Sequence, residues 1–296
     1  MTTKKNHEIN YKKPVIIGEI GCNHMGDMEI AKEMITTAKI FCKADGVKFQ
    51  KRTPKELLTP EEYHQPHPVP FHSYGNTYGE HREKLEFSKV QHKTLQRFCT
   101  QLGIDYSASV WDIMAAREIT ELNPRTIKIP SACNLKFDML GYLCDNFGGE
   151  IHLSFGMTTR AEEKRIIKFF QSKKRNKDLV VYACTSGYPV PFKDLALLEI
   201  KRLRENYGTI VKDIGFSGHH NGIAMDVAAY TLGARYVERH FTLNRTWKGT
   251  DHAASLEPDG LRRVARDLRA AHEALRYKEQ EILDIEAEQR KKLKRY

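Results

Sequence analysis

Short apolar runs recur along this chain, and each ends in polar or charged residues. They cover 14–20, 44–50, 104–109, 126–130, 149–154, 179–183, 213–217 and 236–240. Brief runs of this kind, bounded by turn residues, predict buried strands. Between them, apolar residues return every three or four positions over 26–41, 89–102, 115–122, 139–146, 160–171, 195–207 and 223–232, and again over 258–277. That spacing predicts amphipathic helices. Strands alternating with helices imply parallel pairing through helical crossovers. Eight such units in roughly 250 residues match the dimensions of a (β/α)8 TIM barrel. An open doubly wound sheet fits less well, because no Gly-x-Gly-x-x-Gly follows the first strand. The expected organisation is α/β, a single barrel domain over 1–285 with a C-terminal helical extension and a basic tail over 286–296.

Two segments break the rhythm. Residues 1–13 are polar and read as a lead-in. Residues 51–84 carry Pro54, Pro60, Pro66, Pro68 and Pro70, then a Gly- and Tyr-rich stretch over 74–79. A long insertion between a strand and its helix points to a functional loop, here read as a lid over the substrate, against a merely decorative insertion.

Composition narrows the setting. The 296 residues are 40% hydrophobic, enough for a large core. No run approaches membrane-spanning length, and no signal-like apolar segment opens the chain. The six cysteines are scattered, so reduced thiols and a cytoplasmic location are expected. The formal charge of +10 is spread along the chain, with only residues 290–295 forming a dense basic run. No zinc-finger or RNA-binding pattern accompanies it, so no nucleic-acid or membrane partner is expected. The surplus suits attraction of anionic small molecules.

Active sites of such barrels lie where strands end. Those positions hold Glu19 and Asn23, Lys48 and Gln50, Ser107 and Ser109, Lys128 and Ser131, Ser154, Thr185 and Tyr188, Ser217 and His219, and Glu238 and His240. Two ammonium groups with several hydroxyls make an anion cradle. The other reading is that Lys48 and Lys128 pair with barrel carboxylates. His219 and His240 end two neighbouring strands, roughly 5 Å apart in a sheet. Two imidazoles with open positions suit Mn2+, Fe2+, Co2+ or Zn2+ acting as a Lewis acid on a carbonyl. Asp251, just beyond the last strand, could orient a water or a substrate hydroxyl, or be a plain loop acid. Cys22 and Cys133 near the mouth read as metal ligands or as packing thiols.

Eight motifs together resemble the sialic acid synthase family, the phosphoenolpyruvate-dependent nonulosonate synthases. They are Glu19-Ile-Gly-Cys-Asn-His-Met-Gly26, Val47-Lys-Phe-Gln50, Lys128-Ile-Pro-Ser131, Leu153-Ser-Phe-Gly-Met157, Cys184-Thr-Ser-Gly-Tyr-Pro189, Gly215-Phe-Ser-Gly-His219, Val237-Glu-Arg-His-Phe-Thr242 and Gly249-Thr-Asp-His252. The resemblance implies that phosphoenolpyruvate sits on Lys48, Ser109, Lys128, Ser131, Ser154 and Ser217. It implies a divalent ion, Mn2+ in most of that family, on His219 and His240. Glu19, Lys48 and Asp251 become the catalytic candidates, with Gln50 and Tyr188 beside the sugar. Carbon C3 of phosphoenolpyruvate would attack an open-chain sugar aldehyde, water would add to C2, and phosphate would leave by C–O cleavage.

Three departures fall on the sugar side. Cys133 replaces an acid that contacts the acylamino sugar, Gly218-His219-His220 replaces Asp-His-Thr, and Phe155 replaces a threonine. The family's C-terminal antifreeze-like domain, which reaches a partner's sugar site with an arginine, has no counterpart in these residues. The 64–84 loop is expected to stand in, with His81 and Arg82 as candidates. The expected enzyme condenses phosphoenolpyruvate with an aldose, as a homo-oligomer, dimer or tetramer. A 3-deoxy-ulosonate synthase acting on a pentose, hexose or sugar phosphate is the alternative enzyme. For a phosphorylated acceptor, Arg52, His81 and Arg82 are the basic candidates. A non-catalytic sugar-phosphate-binding homologue is the alternative from another class.

Overall fold

Alternation along each strand decides which side chains meet the helices and which meet the barrel interior. In this computed structural model, which describes residues 11–295, eight strands close into one parallel barrel in chain order. They are β1 (Val15–Gly21), β2 (Gly46–Lys51), β3 (Asp105–Val110), β4 (Thr126–Ile129), β5 (Glu150–Ser154), β6 (Leu179–Cys184), β7 (Asp213–Gly218) and β8 (Tyr236–His240). The helices after these strands are α1 (Met28–Thr36), then α2 (Pro54–Leu57), α3 (Pro60–His64), α4 (Tyr78–Leu85) and α5 (Lys89–Leu102). They continue as α6 (Ile113–Leu122), α7 (Phe137–Asn146), α8 (Arg160–Ser172), α9 (Leu198–Tyr207), α10 (Ala224–Thr231), α11 (Pro258–Ala274) and α12 (Asp284–Leu293).

Strand residues such as Val47, Phe49, Ala108, Ile127, Leu153 and Ile214 pack outward with the helices in one large core. The residues between them fill the barrel. Ile17, Val180, Tyr182 and Tyr236 form a separate apolar plug low in the interior. His152 sits against it, its Nδ1 2.7 Å from the Tyr182 hydroxyl. Above this plug the interior turns polar, and there the strands end.

The expected barrel is the one observed, with differences at its margins. The lead-in read over 1–13 lies outside the described residues as far as residue 10. Residues 51–84 are not a bare loop: they hold α2, α3 and α4. Pro54 and Pro60 sit in first turns, where a missing N–H costs nothing, and Thr59 and Thr77 close capping boxes. The helix expected over 26–41 widens into a π-helical turn at Thr37–Phe41. The eighth helix stops at Ala274, and the tail boundary drawn at 286 falls inside α12. Among the described residues, no helix is long and apolar enough to cross a membrane.

Candidate active site

Register brings the polar strand ends to one level. Glu19 lies beside Lys48 on one side and His240 on the other. Gln50 pairs with Ser109, Ser109 with Lys128, and Ser217 with Glu238. These side chains are buried, so each charge needs a partner.

The partners are carboxylates. The Lys48 ammonium contacts Glu19 directly, lies 3.6 Å from Glu238, and donates to the Ser109 hydroxyl at 2.8 Å. Lys128 donates to both Glu238 oxygens, at 3.3 and 3.1 Å, and lies 3.6 Å from the centre of the Tyr182 ring. Ser217 donates to Glu238 at 3.1 Å. Burial opposes the Lys48 charge, but Glu19 and Glu238 outweigh it and raise its pKa. Burial and the neighbouring Lys48 lower that of Lys128 against the pull of Glu238. Burial would raise Glu238, yet the two ammonium groups hold it well below the usual carboxylate range. The pairing of Lys48 and Lys128 with barrel carboxylates, weighed above as the alternative to a cradle, is therefore present. It does not remove the cradle, since two ammonium ions and the Ser217 hydroxyl converge on one carboxylate where a stronger anion can compete, and the Ser109 hydroxyl sits on Lys48.

Gly21 shows how tightly the next group is gathered. Its φ is +57°, and a Cβ there would lie 3.1 Å from Gln50 Nε2, 3.3 Å from Glu19 Oε1 and 3.7 Å from His240 Nδ1. Gln50 donates to Glu19 at 3.2 Å. The His219 and His240 rings stand 5.4 Å apart. His219 Nδ1 lies 3.1 Å from the Thr185 carbonyl, which fixes Nδ1 as the donor and leaves Nε2 with its lone pair. Burial, aided by His240, pushes the His219 pKa down to about 3, so the ring is neutral. His240 Nδ1 is buried without a hydrogen-bond partner. Two neutral-capable nitrogens beside each other, one oriented from behind and one orphaned, fit a divalent ion. Among the described residues no cluster of three or more His, Cys, Asp or Glu completes a coordination shell, so such an ion would keep open positions.

Other expected residues surround this layer. Ser131 and Ser186 pack together over Gly156, and Ser131 lies 3.7 Å from the Cys184 sulfur. Ser154 is buried, with its carbonyl held by Asn134 at 2.9 Å. Tyr188 is 55% exposed, its ring 4.5 Å from His219 and 5.8 Å from His240. Burial would raise Asp251, but His240 and Arg52 keep its pKa low. Arg82 extends from α4 and donates to the Tyr78 hydroxyl at 3.0 Å. Cys133 turns away. Its thiol donates to the Trp111 carbonyl at 3.2 Å, and burial raises its pKa to about 11, which suits a packing thiol. Cys22, pushed up to about 11 by burial, lies 3.4 Å from Arg52. His220, next to His219, is spent on structure: it lies 3.1 Å from Arg239, which pairs with Asp226 at 2.5 Å in a buried cluster behind β8.

Two residues of the layer were not among the expected site residues. Glu238 stood among the polar strand ends, and its bridging role appears only once β4 and β8 face each other across the barrel. Ser186 lies inside the quoted Cys184–Pro189 motif but carries no signal of its own.

The inserted segment packs against the loop that follows β8. The Tyr74 hydroxyl donates to the Lys248 carbonyl, and the Gly249 N–H donates to His72 Nδ1 at 3.2 Å. The segment read as a lid therefore touches the loop that carries Asp251.

Comparison with known proteins agrees with this geometry. The chain is 40% identical over 271 residues to N-acetylneuraminate-9-phosphate synthase of Mus musculus, covering 92% of this chain and 74% of that protein. It is 30% identical to N,N'-diacetyllegionaminic acid synthase of Campylobacter jejuni, covering 89% of this chain and 78% of that one. The crystal structure of N-acetylneuraminic acid (sialic acid) synthetase from Leptospira borgpetersenii in complex with citrate superimposes with a TM-score of 0.79 at 26% identity, over 97% of this chain and 94% of that chain. Residues 34–280 match the NeuB family, and the chain belongs to that family.

Proposed function

We propose that this protein condenses phosphoenolpyruvate with an aldose to give a nonulosonic acid and phosphate. One observation carries the reading: Lys48, Lys128 and Ser217 converge on the buried Glu238 carboxylate, Ser109 accepts from Lys48, and Glu19, Gln50 and His240 stand beside them with His219 against His240. A phosphate and a carboxylate need that cluster of donors, and an aldehyde needs a polarising group next to it.

In this reading Lys48 and Lys128 bind the phosphate and carboxylate of phosphoenolpyruvate, with Ser109, Ser131, Ser154 and Ser217 donating hydrogen bonds. Charge-assisted contacts of this kind bind and orient. His219 and His240 hold the divalent ion, for which Mn2+ is the proposed identity, and its chemistry is Lewis-acid polarisation of the sugar aldehyde. Gln50, Asp251 and Tyr188 hold the open-chain sugar so that its C1 faces C3 of phosphoenolpyruvate. As the C3–C1 bond forms, C2 becomes electron-poor and accepts water. Glu19 takes the proton from that water, and Lys48 steadies the carboxylate while it does so. The C2–O bond to phosphate then breaks, the new C2 hydroxyl becomes the ketone as its proton leaves with the phosphate, and the proton held by Glu19 passes to the former aldehyde oxygen. Preorganised cations near the leaving oxygens lower the barrier without moving.

The six cysteines of the chain are free, which suits a reducing compartment, and the cytoplasm is the proposed location. Met157, Phe192 and Leu198 are large exposed apolar side chains and support a homo-oligomer, dimer or tetramer.

The experiment is consumption of phosphoenolpyruvate with phosphate release across a panel of aldoses. Turnover with one sugar, lost on chelation and in His240→Ala, is the expected result. Binding of no phosphoenolpyruvate by calorimetry, with no turnover anywhere in the panel, would reject the assignment.

A further inference from the structure

A polar chain runs through the apolar plug at the foot of the barrel. His152 of β5 is buried there, its ring 5.5 Å from that of Tyr182 and 4.9 Å from that of Tyr236. Burying an imidazole is costly unless its nitrogens find partners. Both do. Nε2 lies 3.4 Å from Glu150, and Nδ1 lies 2.7 Å from the Tyr182 hydroxyl. Burial lowers the His152 pKa and keeps the ring neutral. A carboxylate only accepts, so Nε2 carries the hydrogen and Nδ1 the lone pair. The Tyr182 O–H therefore donates to His152. Glu150 is fixed in turn by the Tyr236 hydroxyl at 3.2 Å and by Lys212 at 3.2 Å.

The other end of this chain stands in the site. Tyr182 is fully buried, and the Lys128 ammonium lies 3.6 Å from its ring centre. The neighbouring strand leaves room for the ring. Gly215 pairs in register with Tyr182, and a Cβ there would lie 2.6 Å from two ring atoms. A phenol that donates its hydrogen gains electron density in the ring, which strengthens its hold on a cation. Lys128 is thus gripped twice, by the Glu238 oxygens at 3.3 and 3.1 Å and by the ring. The two grips differ when an anion arrives. An entering anion competes with Glu238 for the ammonium, whereas it has no quarrel with the ring.

We propose that Tyr182 is a positioning residue for Lys128, locked from below by His152 and Glu150, so that the ammonium keeps its place when phosphoenolpyruvate displaces Glu238. None of the three touches substrate. They form a pillar from the floor of the barrel to the phosphoenolpyruvate cradle. This inference rests on the synthase reading above and adds to it the side chains that hold one of its cations.

The test is the Kd of phosphoenolpyruvate by calorimetry, measured against pH, in wild type, Tyr182→Met, Tyr182→Phe and His152→Leu. Tyr182→Met fills the space without a ring, and Tyr182→Phe keeps the ring without the hydroxyl. Tyr182→Met should raise the Kd by about tenfold, within the range of a desolvated cation–π contact. Tyr182→Phe should recover most of that loss. His152→Leu leaves the ring but frees it, and should weaken binding in the same direction; it carries the test if Tyr182→Met does not fold. The pH dependence is a second readout. Lys128 is faced by Glu238 of β8, Lys48 of β2, Cys184 and Tyr182 of β6 and His152 of β5. Burial already lowers its pKa, and the ring favours its charged form. Losing the ring should therefore move the alkaline loss of affinity to lower pH, while Tyr182→Phe leaves it near wild type. Lower Tm with unchanged Kd and an unmoved alkaline limb would mark packing alone and overturn the pillar. Equal losses of affinity in Tyr182→Met and Tyr182→Phe would also overturn it, because the ring would then contribute nothing. No binding of phosphoenolpyruvate by wild type would overturn the synthase reading and the pillar with it.

Discussion

Gly21 offers the sharpest probe of the site, because one added carbon touches three of its side chains. Gly21→Ala has two consequences that can be separated. The first is backbone strain: at φ +57° an L-residue costs about 1–2 kcal/mol. In a chain of this size that lowers Tm by about 2–4 °C per kcal/mol. The second is local. A Cβ 3.1 Å from Gln50 Nε2 and 3.3 Å from Glu19 Oε1 is tighter than ordinary contact, so both must give by a few tenths of an ångström. A full ångström of misplacement at reacting groups can cost about a hundredfold, so a drop of about tenfold in kcat/KM is expected here. Gly103→Ala supplies the control. Its φ is +67°, and a Cβ there meets nothing within 4 Å. It should lose similar stability and no activity. Thermal melts and steady-state kinetics on both variants decide the matter. Equal Tm losses with undiminished kcat/KM in Gly21→Ala would refute the idea that Glu19 and Gln50 must hold these positions for the reaction.

Further predictions concern charge. Glu238→Ala leaves Lys128 without its carboxylate and should cost about 3 kcal/mol; phosphoenolpyruvate should then raise Tm more in the variant than in wild type, and equal shifts would count against a shared cradle. Asp226→Ala strands the buried Arg239 guanidinium and should cost about 3–5 kcal/mol in chemical denaturation, with a loss under 1 kcal/mol contradicting the paired-network account. His24 and His92 are held by burial at pKa values of about 3. An unfolded chain takes up protons there near pH 6.5 while the folded one refuses them. Stability should therefore be complete above about pH 6.5 and fall on acidification toward pH 3, by about 1.4 kcal/mol per pH unit for each histidine. His92→Gln should flatten that slope by one histidine's share, and an unchanged slope in urea titrations would show that the ring titrates freely.

Much of this could be read from the chain because barrels tie function to a repeated local cue. Every apolar run ended in polar residues, and Glu19, Lys48, Gln50, Ser109, Lys128, Ser217, His219 and His240 stood at those ends. What stayed hidden depends on distance across the fold. Glu238 clamps Lys128 over a separation of 110 residues, and no periodicity encodes which side chain stands opposite another in a closed barrel. Helices α2 to α4 were hidden for a different reason. They are short, α2 and α3 start on prolines and bury no residue, and α4 buries only Gly79, His81 and Leu85, so none shows the apolar stripe that marks a helix. Arg239 read as one more charged strand residue. Its burial follows from β8 turning it outward against Asp226 of α10 and His220 of the loop after β7.

The charge balance of the interior explains how such a cluster of buried charges is tolerated in the folded chain. Two buried ammonium ions facing one another would destabilise the barrel, and an apolar interior would leave nothing to bind an anion. Glu238 resolves this by standing between Lys48 and Lys128, with Glu19 on the far side of Lys48. The box is neutral overall, two positive and two negative groups, and so it tolerates burial. Under the proposed function the same arrangement would limit how tightly an anion binds, since an entering phosphate would have to share the lysines with the carboxylates. Tyr182 lessens that conflict: its ring faces Lys128 at 3.6 Å and keeps the ammonium in place through a cation–π contact when Glu238 yields. Cradle strength is thus set less by the number of cations than by how firmly Glu238 holds them. That makes the β7–β8 register, which fixes Ser217 against Glu238, as much a part of the binding site as the lysines themselves.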